Sequence, residues 1–382
     1  MNGFSFQSVK TTLVQSGAVL QLSNLLSERG LSRPLFVTDA VLIELGVVTP
    51  AINHLQDACE SISVFDGIEP DPSERVVGDC LKAFSAGTCD SVIAVGGGSS
   101  MDVAKVVSVL AGGNQSLSDI YGVGMVSGPR LPLFLVPTTA GTGSEVTPVA
   151  IITTGETTKA GVSSPVLLPD VAILDASLTM GLPRGITAMT GIDAMVHAIE
   201  AYTSKIKKNP ISDMLALRAL KLLSENIRTV LHSPQDEAAR EAMLLGSMFA
   251  GQAFANAPVG AVHALAYPVG GHYHIPHGLS NSLMLPPVLK FNAEACPDLY
   301  TELATVLPGA EPSPAGLIAW FQRLIEESGL PATLAQADIP ESDLPMLASD
   351  AMFQQRLLVN NPREVNEVIA LQLYREAWSG WA

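Results

Sequence analysis

Basic residues are scarce in this sequence. Lys and Arg number 21 against 37 Asp and Glu, a net charge of −16. Nucleic-acid binding draws on clustered Lys and Arg that displace counterions from phosphate. The one basic cluster, Lys205, Lys207 and Lys208, reads as a solvated loop, so nucleic acid is not an expected partner. Long apolar runs are missing too. A membrane span takes about 20 apolar residues, and the most apolar windows, such as residues 131–136, are interrupted by Pro132 and ended by Pro137. No membrane association is expected. Residues 1–10 hold no basic stretch followed by an apolar run, so no secretory signal is expected. Cys59, Cys80, Cys89 and Cys296 form no C-x-x-C pair and no metal-ligand spacing. They read as reduced thiols of a cytoplasmic protein.

Charge of either sign is sparse, at 15% of residues, while 47% are hydrophobic. An ordinary soluble chain carries about 25% charged residues. This composition excludes disorder. It predicts a large core and surplus apolar surface for a homo-oligomer, most simply a dimer. A length of 382 residues, at roughly 150 per domain, suggests two domains.

The first half alternates β-rich runs with helical stretches. Strands are expected at 35–38, 61–65, 91–95 and 133–136, with further β structure at 149–153 and 171–174, and helices at 76–86 and 101–110. That alternation predicts βαβ units and a parallel sheet. Beyond Leu182-Pro183 the chain turns helical, with expected helices at 185–202, 212–232, 238–254 and 315–328. A boundary near residue 180 separates an α/β domain, 1–180, from an all-helical domain, 181–382.

Two strand ends carry glycine and hydroxyl groups. Gly96-Gly97-Gly98-Ser99-Ser100 joins a strand to a helix, and residues 138–144 (TTAGTGS) follow the next strand. Glycines let a backbone approach phosphate, and a helix N-terminus offers unpaired N–H groups. Such turns at strand C-termini are where ligands bind in open α/β sheets. Asp39 also ends a strand. There it would accept hydrogen bonds from a ribose diol and repel a 2′-phosphate, favouring NAD over NADP.

The helical half holds a second constellation. Asp193 and His197 are four apart and project from one helical face. Residues 262–278 (VHALAYPVGGHYHIPHG) hold four of the seven histidines. His263 sits in a helical stretch expected to break at Pro268 and Gly270-Gly271, and His277 precedes a new helical run. His272 and His274 fall in the connection, and His54 and His232 lie outside any cluster. Imidazoles from two segments plus an Asp–His pair make a four-ligand N/O site. It suits Fe(II) or Zn(II) better than Mg or Ca.

With these residues in view, the chain resembles the iron-dependent, or group III, alcohol dehydrogenase family. The resemblance rests on Asp39, GGGSSMDVAK at 96–105, PTTAGTGSEVT at 137–147 and Lys159 followed by SSPVLLPDVAILD at 163–175. It continues through LPRGITAMTGIDAMVHAIEAY at 182–202 and HALAYPVGGHYHIPHG at 263–278. It implies a dehydroquinate synthase-like fold, a Rossmann-like parallel sheet joined to an all-α metal-binding domain. It also implies metal-dependent, NAD-linked interconversion of a small alcohol with its aldehyde or ketone, in a cleft between the domains. The implied metal ligands are Asp193, His197, His263 and His277. The implied cofactor contacts are Gly97, Gly98 and Ser99 at the pyrophosphate and Thr138, Thr139 and Thr142 on the nicotinamide side. Asp102, Thr147 and Lys159 are further contacts that the resemblance implies. Phe254, with Val149 and Ile151, would line an apolar substrate pocket.

The sequence departs from the family pattern at two places. Many members carry a histidine four residues after the third ligand, a proton relay, where this chain has Tyr267; His274 or water would then substitute, and Tyr267 and His274 join His263 and His277 as the candidate catalytic residues. A Phe-Gly-Pro-Gly-like turn is here Val14-Gln15-Ser16-Gly17. Maleylacetate reductase and glycerol dehydrogenase are disfavoured by the full Asp/His/His/His set. A dehydroquinate synthase-like lyase is disfavoured because the helical half is poor in the several Lys and Arg that its acidic substrate needs, the 205–208 cluster reading as a solvated loop. A hydroxyacid–oxoacid transhydrogenase is the alternative harder to separate.

Overall fold

The computed structural model describes residues 3–155 and 158–380. The chain divides into two compact units: Gln7–Gly181, and Leu182 onward together with the residues ahead of Gln7.

The first unit is built on β1 (Thr11–Val14), β2 (Pro34–Val37), β3 (Ser63–Phe65), β4 (Ser91–Gly96), β5 (Gly122–Val123), β6 (Leu133–Pro137), β7 (Val149–Thr154), β8 (Thr158–Ser163) and β9 (Val171–Leu174). Six of these form one sheet in the order β1-β9-β6-β4-β2-β3, with every pairing parallel. A three-stranded sheet, β5-β8-β7, carries the antiparallel β7–β8 pair. The helices are α1 (Leu22–Ser27), α2 (Ala40–Glu44), α3 (Thr49–Ala58), α4 (Glu74–Ala86), α5 (Gly98–Gly112) and α6 (Leu117–Ile120).

The parallel sheet explains the unbroken apolar runs. Leu35, Val37, Val92, Ala94, Leu133 and Leu135 share a core with residues of α4 and α5. Their alternates Phe36, Ile93, Val95, Phe134 and Val136 share another with residues of α1 and α3. Both faces are covered, so β2, β6 and β9 and positions 92–95 of β4 are apolar throughout. Strand β1 lies at the sheet edge with only partial burial, so it lacks an apolar run that would mark it. Strands β2, β4 and β6 are neighbours, and β3 and β6 continue from the middle in opposite directions. This is the strand-order switch where α/β sheets bind ligands.

Among the described residues the second unit has helices and no named strand. They are α7 (Arg184–Thr203), α8 (Pro210–His232), α9 (Glu237–Asn256), α10 (Ala261–Tyr273), α11 (His277–Ala293), α12 (Pro297–Thr305), α13 (Pro314–Ser328), α14 (Leu344–Ala351), α15 (Gln355–Leu358) and α16 (Glu367–Ser379). Side chains of Asn209, Asp236, Ser313 and Asn366 cap α8, α9, α13 and α16, each worth about 1 kcal/mol. Helix α7 is buried almost all round from Gly191 to Thr203, as befits a central helix.

One expectation is corrected. Helix α10 does not break at Pro268 or Gly270-Gly271 but runs on to Tyr273. A proline in a helix interior costs about 3 kcal/mol and a glycine about 1 kcal/mol. Packing of the buried residues Leu265, Pro268, Val269 and Gly270 outweighs this, as α10 lies against α11 and α14. Gly270 also has little room for a side chain, since a Cβ would sit 3.3 Å from the carbonyl oxygen of Ile275.

Candidate metal centre and nucleotide-binding loops

Helix α7 presents Asp193 and His197 one turn apart, α10 presents His263, and His277 is the first residue of α11. One ligand atom from each of these four side chains lies within 4.8 Å of the others. Asp193 Oδ1 is 3.9 Å from His263 Nε2 and 3.8 Å from His277 Nε2. A tetrahedral ion held at about 2.1 Å separates its ligand atoms by about 3.4 Å, so small side-chain movements bring this set onto one ion. Three nitrogens and one oxygen are donors for iron or zinc, whereas magnesium and calcium prefer oxygen alone. Asp193, His197 and His263 are buried, and His277 keeps 33% of its side chain exposed. His277 is therefore the ligand that a small molecule can approach.

The imidazoles pack as a column. His197 stacks on Phe254 of α9 with centroids 4.4 Å apart and on His263 at 4.7 Å, while His277 lies 5.3 Å from His263. The N-terminus of α11 closes on α7 through Gly278. A Cβ there would fall 2.5 Å from the carbonyl oxygen of Met189, so only glycine lets His277 come this near to Asp193. Burial alone would raise the Asp193 carboxyl. The imidazoles of His197, His277 and His263 and the Asn281 amide more than offset it and hold it below its ordinary value.

Two further residues hold the ligands, and motif spacing did not single them out. Asn281, one turn after His277, donates from Nδ2 to Asp193 Oδ1 at 2.6 Å and lies 3.2 Å from Nε2 of both His263 and His277. It is fully buried, and its Oδ1 has no hydrogen-bond partner. Glu200, three residues after His197, reaches His263 Nδ1 at 2.6 Å and accepts from Val262 N–H at 2.7 Å. The signal was present in the helical spacing, since 193, 197 and 200 share one face, as do 277 and 281.

The remaining histidine-segment residues separate. The ring of Tyr267 lies against His277, with centroids 5.8 Å apart. His274 is the exposed C-cap of α10 with φ +53° and lies outside the four-residue cluster. His272 pairs with Asp350 at 2.5 Å, and the hydroxyl of Tyr273 donates to Asp343. These contacts tie the end of α10 to the region of α14.

In the first unit, β4, β6 and β2 end side by side on the expected loops. Helix α5 begins at Gly98, earlier than the sequence suggested, with Gly97 as N-cap and no side-chain cap. Its first N–H groups are left for an outside acceptor. A Cβ on Gly98 would come within 2.9 Å of Thr142 Cγ2, and one on Gly97 within 3.9 Å of Thr139 Oγ1. The loops thus form one cradle with bare backbone on one side and hydroxyls on the other. Ser99 is half-buried in the first turn of α5, and Thr138 is buried at the end of β6 with its N–H donating to Gly96. Asp39 is the N-cap of α2; its Oδ1 accepts from Leu42 N–H at 3.0 Å.

Asp102 and Thr147 lie in an interior network. Asp102 accepts from Ser144 Oγ at 2.7 Å and from Ile151 N–H at 2.8 Å. The fully buried Lys105 donates to Ser144 Oγ, Thr147 Oγ1 and the carbonyl of Val149. Burial pushes the Lys105 ammonium down to about 8 against the pull of Asp102 and Glu145. Burial also pushes the Glu145 carboxyl up to about 7. The network fastens α5 to the segment after the second loop. Lys159 pairs with Asp71 at 2.5 Å. Val149 and Ile151 share the half-exposed face of β7, opposite the buried Ala150 and Ile152.

Comparison with known proteins agrees with both units. The family described as "Iron-containing alcohol dehydrogenase" matches residues 10–176. "Fe-containing alcohol dehydrogenase family, C-terminal" matches residues 187–378. The chain is 38% identical over 374 residues to long-chain-alcohol dehydrogenase 1 of Geobacillus thermodenitrificans, covering 95% of this chain and 94% of that protein. It is 36% identical over 362 residues to 1,3-propanediol dehydrogenase of Klebsiella pneumoniae, covering 91% and 92%. Among solved structures, 1,3-propanediol oxidoreductase superposes with a TM-score of 0.94 at 34% identity, covering 99% of this chain and 100% of that one. Sulfoacetaldehyde reductase from Bifidobacterium kashiwanohense, solved in complex with NAD+, superposes at 0.89 and 29% identity, covering 99% and 100%.

Proposed function

The chain belongs to the iron-containing alcohol dehydrogenase family, and we propose that it interconverts a small alcohol and its aldehyde or ketone by hydride transfer with NAD. The observation that carries this reading is the convergence of Asp193, His197, His263 and His277 within 4.8 Å. These four side chains would hold divalent iron, and zinc suits the same donors. Such an ion, when bound, acts as a Lewis acid toward an alcohol or carbonyl oxygen. Asp193 is the only anionic donor among the four, and the buried Glu200 carboxylate stands behind His263 as a second negative charge. Of the two remaining candidates, Tyr267 lies nearer the ligands, its ring centroid 5.8 Å from that of His277, and His274 lies outside the cluster.

The cradle of Gly97, Gly98, Ser99, Thr138, Thr139 and Thr142 fits a dinucleotide, with the pyrophosphate at the start of α5. Bound NAD supplies the hydride acceptor or donor. Asp39 caps α2 with Oδ1 only, which leaves Oδ2 for a ribose hydroxyl and supports NAD over NADP. Asp102 and Thr147 would serve the cofactor by holding its loops in place. Lys159 would contact it once released from Asp71. Phe254, stacked on His197, favours an apolar substrate of modest size.

No helix among the described residues is long and apolar enough to cross a membrane. Four cysteines without a disulfide support a reducing, cytoplasmic setting. The high apolar content of the chain, 47% hydrophobic against 15% charged, supports a homodimer that covers some of it. The test is NADH formation from NAD with a panel of primary alcohols, diols and hydroxyacids, with Fe(II) or Zn(II) added. Metal-dependent turnover of an alcohol is expected. A metal-loaded protein that forms no NADH with any of them overturns the reading.

A further inference from the structure

We propose that Glu200 is the positioning residue that fixes the tautomer of His263 and so presents its Nε2 lone pair to the metal. The inference rests on the four-residue site proposed above and assigns a role to a residue outside it. Helix α7 carries Asp193, His197 and Glu200 at i, i+4 and i+7, so all three face one way. The first two offer ligand atoms, and the third reaches α10. One oxygen of Glu200 accepts from Val262 N–H at 2.7 Å, and the other lies 2.6 Å from His263 Nδ1. Glu200 and His263 are both almost completely buried, so water does not compete for these contacts.

A carboxylate only accepts hydrogen bonds, so the ring must donate from Nδ1. A neutral imidazole has one N–H, and placing it on Nδ1 leaves Nε2 bare. Nε2 is the nitrogen that faces Asp193 Oδ1, 3.9 Å away. Metal-bound histidines are commonly held by a carboxylate on the far nitrogen in this way, and losing that partner costs about 10–100-fold in metal affinity.

The competing explanation is that Glu200 only caps the start of α10 through Val262. Glu200→Gln separates the two. Glutamine has one acceptor oxygen. If it keeps the Val262 N–H, its amide NH2 faces Nδ1 and drives the proton onto Nε2, where it blocks the metal. A pure cap would then leave metal binding intact.

The experiment titrates the metal-free full chain with Co(II), reading its visible d–d bands, and measures NADH binding as a control on folding. Wild type is expected to bind one Co(II), and Asp193→Ala to lose it. Glu200→Gln is expected to bind Co(II) about 10–100-fold more weakly with altered bands, with NADH binding unchanged. Glu200→Asp, which keeps two acceptors, should recover part of the loss. Glu200→Gln affinity within twofold of wild type, with the same bands, overturns the role of Glu200 and leaves the metal site standing. Co(II) binding that survives Asp193→Ala overturns the site, and the role of Glu200 with it. A measurement on unmutated protein covers failure of the variants to fold. Long-range 1H–15N spectra of the metal-free chain, assigned with a His263→Gln reference, should place the His263 proton on Nδ1. A proton on Nε2 overturns the inference.

Discussion

The side-chain amide of Asn281 donates a 2.6 Å hydrogen bond to Oδ1 of Asp193, from one turn beyond His277. It thereby ties the carboxylate ligand on α7 to the helix that begins with a histidine ligand. The amide is neutral, so it restrains Asp193 without changing the charge of the site. Asn281→Asp replaces this donor with a second buried carboxylate. Like charges at this separation disfavour joint ionisation, and leaving a buried charge unpaired costs about 3 kcal/mol. Metal-free Asn281→Asp should melt several degrees below metal-free wild type, and added Zn(II) should raise its melting temperature by more than it raises that of wild type. Equal melting temperatures without metal would refute the restraint.

Gly278 lets α11 close on α7. A methyl group there would lie 2.5 Å from a backbone oxygen of Met189, and backbone cannot swing aside as a side chain can. Gly278→Ala should destabilise the chain by about 1–3 kcal/mol. It should also lower bound metal, because His277 moves with the helix. Urea unfolding and metal analysis of the purified variant check both, and full occupancy with unchanged stability would contradict the packing argument.

Asp39 has two tasks on one carboxylate. Oδ1 caps α2 through Leu42 N–H, and Oδ2 remains for the ribose. Asp39→Gly should relax the preference for NAD, raising the ratio of kcat/KM with NADP to that with NAD by tenfold or more. The lost cap should cost only a few tenths of a kcal/mol, since glycine is a tolerable N-cap. The ratio of specificity constants decides the matter. A wild type that already favours NADP would remove the role assigned to Asp39.

The Glu145 carboxyl, fully buried, is pushed from 4.5 up to about 7. Between those values the folded chain holds a proton that the unfolded chain has released. This site's contribution to stability therefore falls as pH rises from 4.5 to 7. Lys105, lowered from 10.5 to about 8, acts in the opposite sense at higher pH, with stability rising between 8 and 10.5. Glu145→Gln stays neutral throughout. Its stability relative to wild type should grow with pH across the acidic window, by about 2 kcal/mol between pH 5 and 7.5. Urea titrations of both proteins at pH 5, 6 and 7.5 read this difference, and a flat difference would count against the burial argument.

The central strands β2, β4, β6 and β9 were readable because a parallel sheet covered on both faces needs uninterrupted apolar residues. Edge strand β1 was not, since its partial burial leaves no such mark. Asp193 and His197 were readable as a pair because helical spacing is local, and the histidine-rich segment supplied the other two donors. Asn281 and Glu200 were not singled out, although each lies within one turn of a ligand. Asparagine and glutamate are common on helices, and their importance comes from a partner 88 or 63 positions away. The same holds for Asp102. Asp102 sits in a phosphate-loop motif, and its partners Ser144 and Ile151 lie 42 and 49 positions away. Helix α10 persists through Pro268 because the packing of neighbouring helices outweighs a local penalty of a few kcal/mol. Local chemistry thus set which residues can bind metal or phosphate. The meeting of distant helices set which atom of each points at the ligand, because orientation depends on partners that local sequence does not contain.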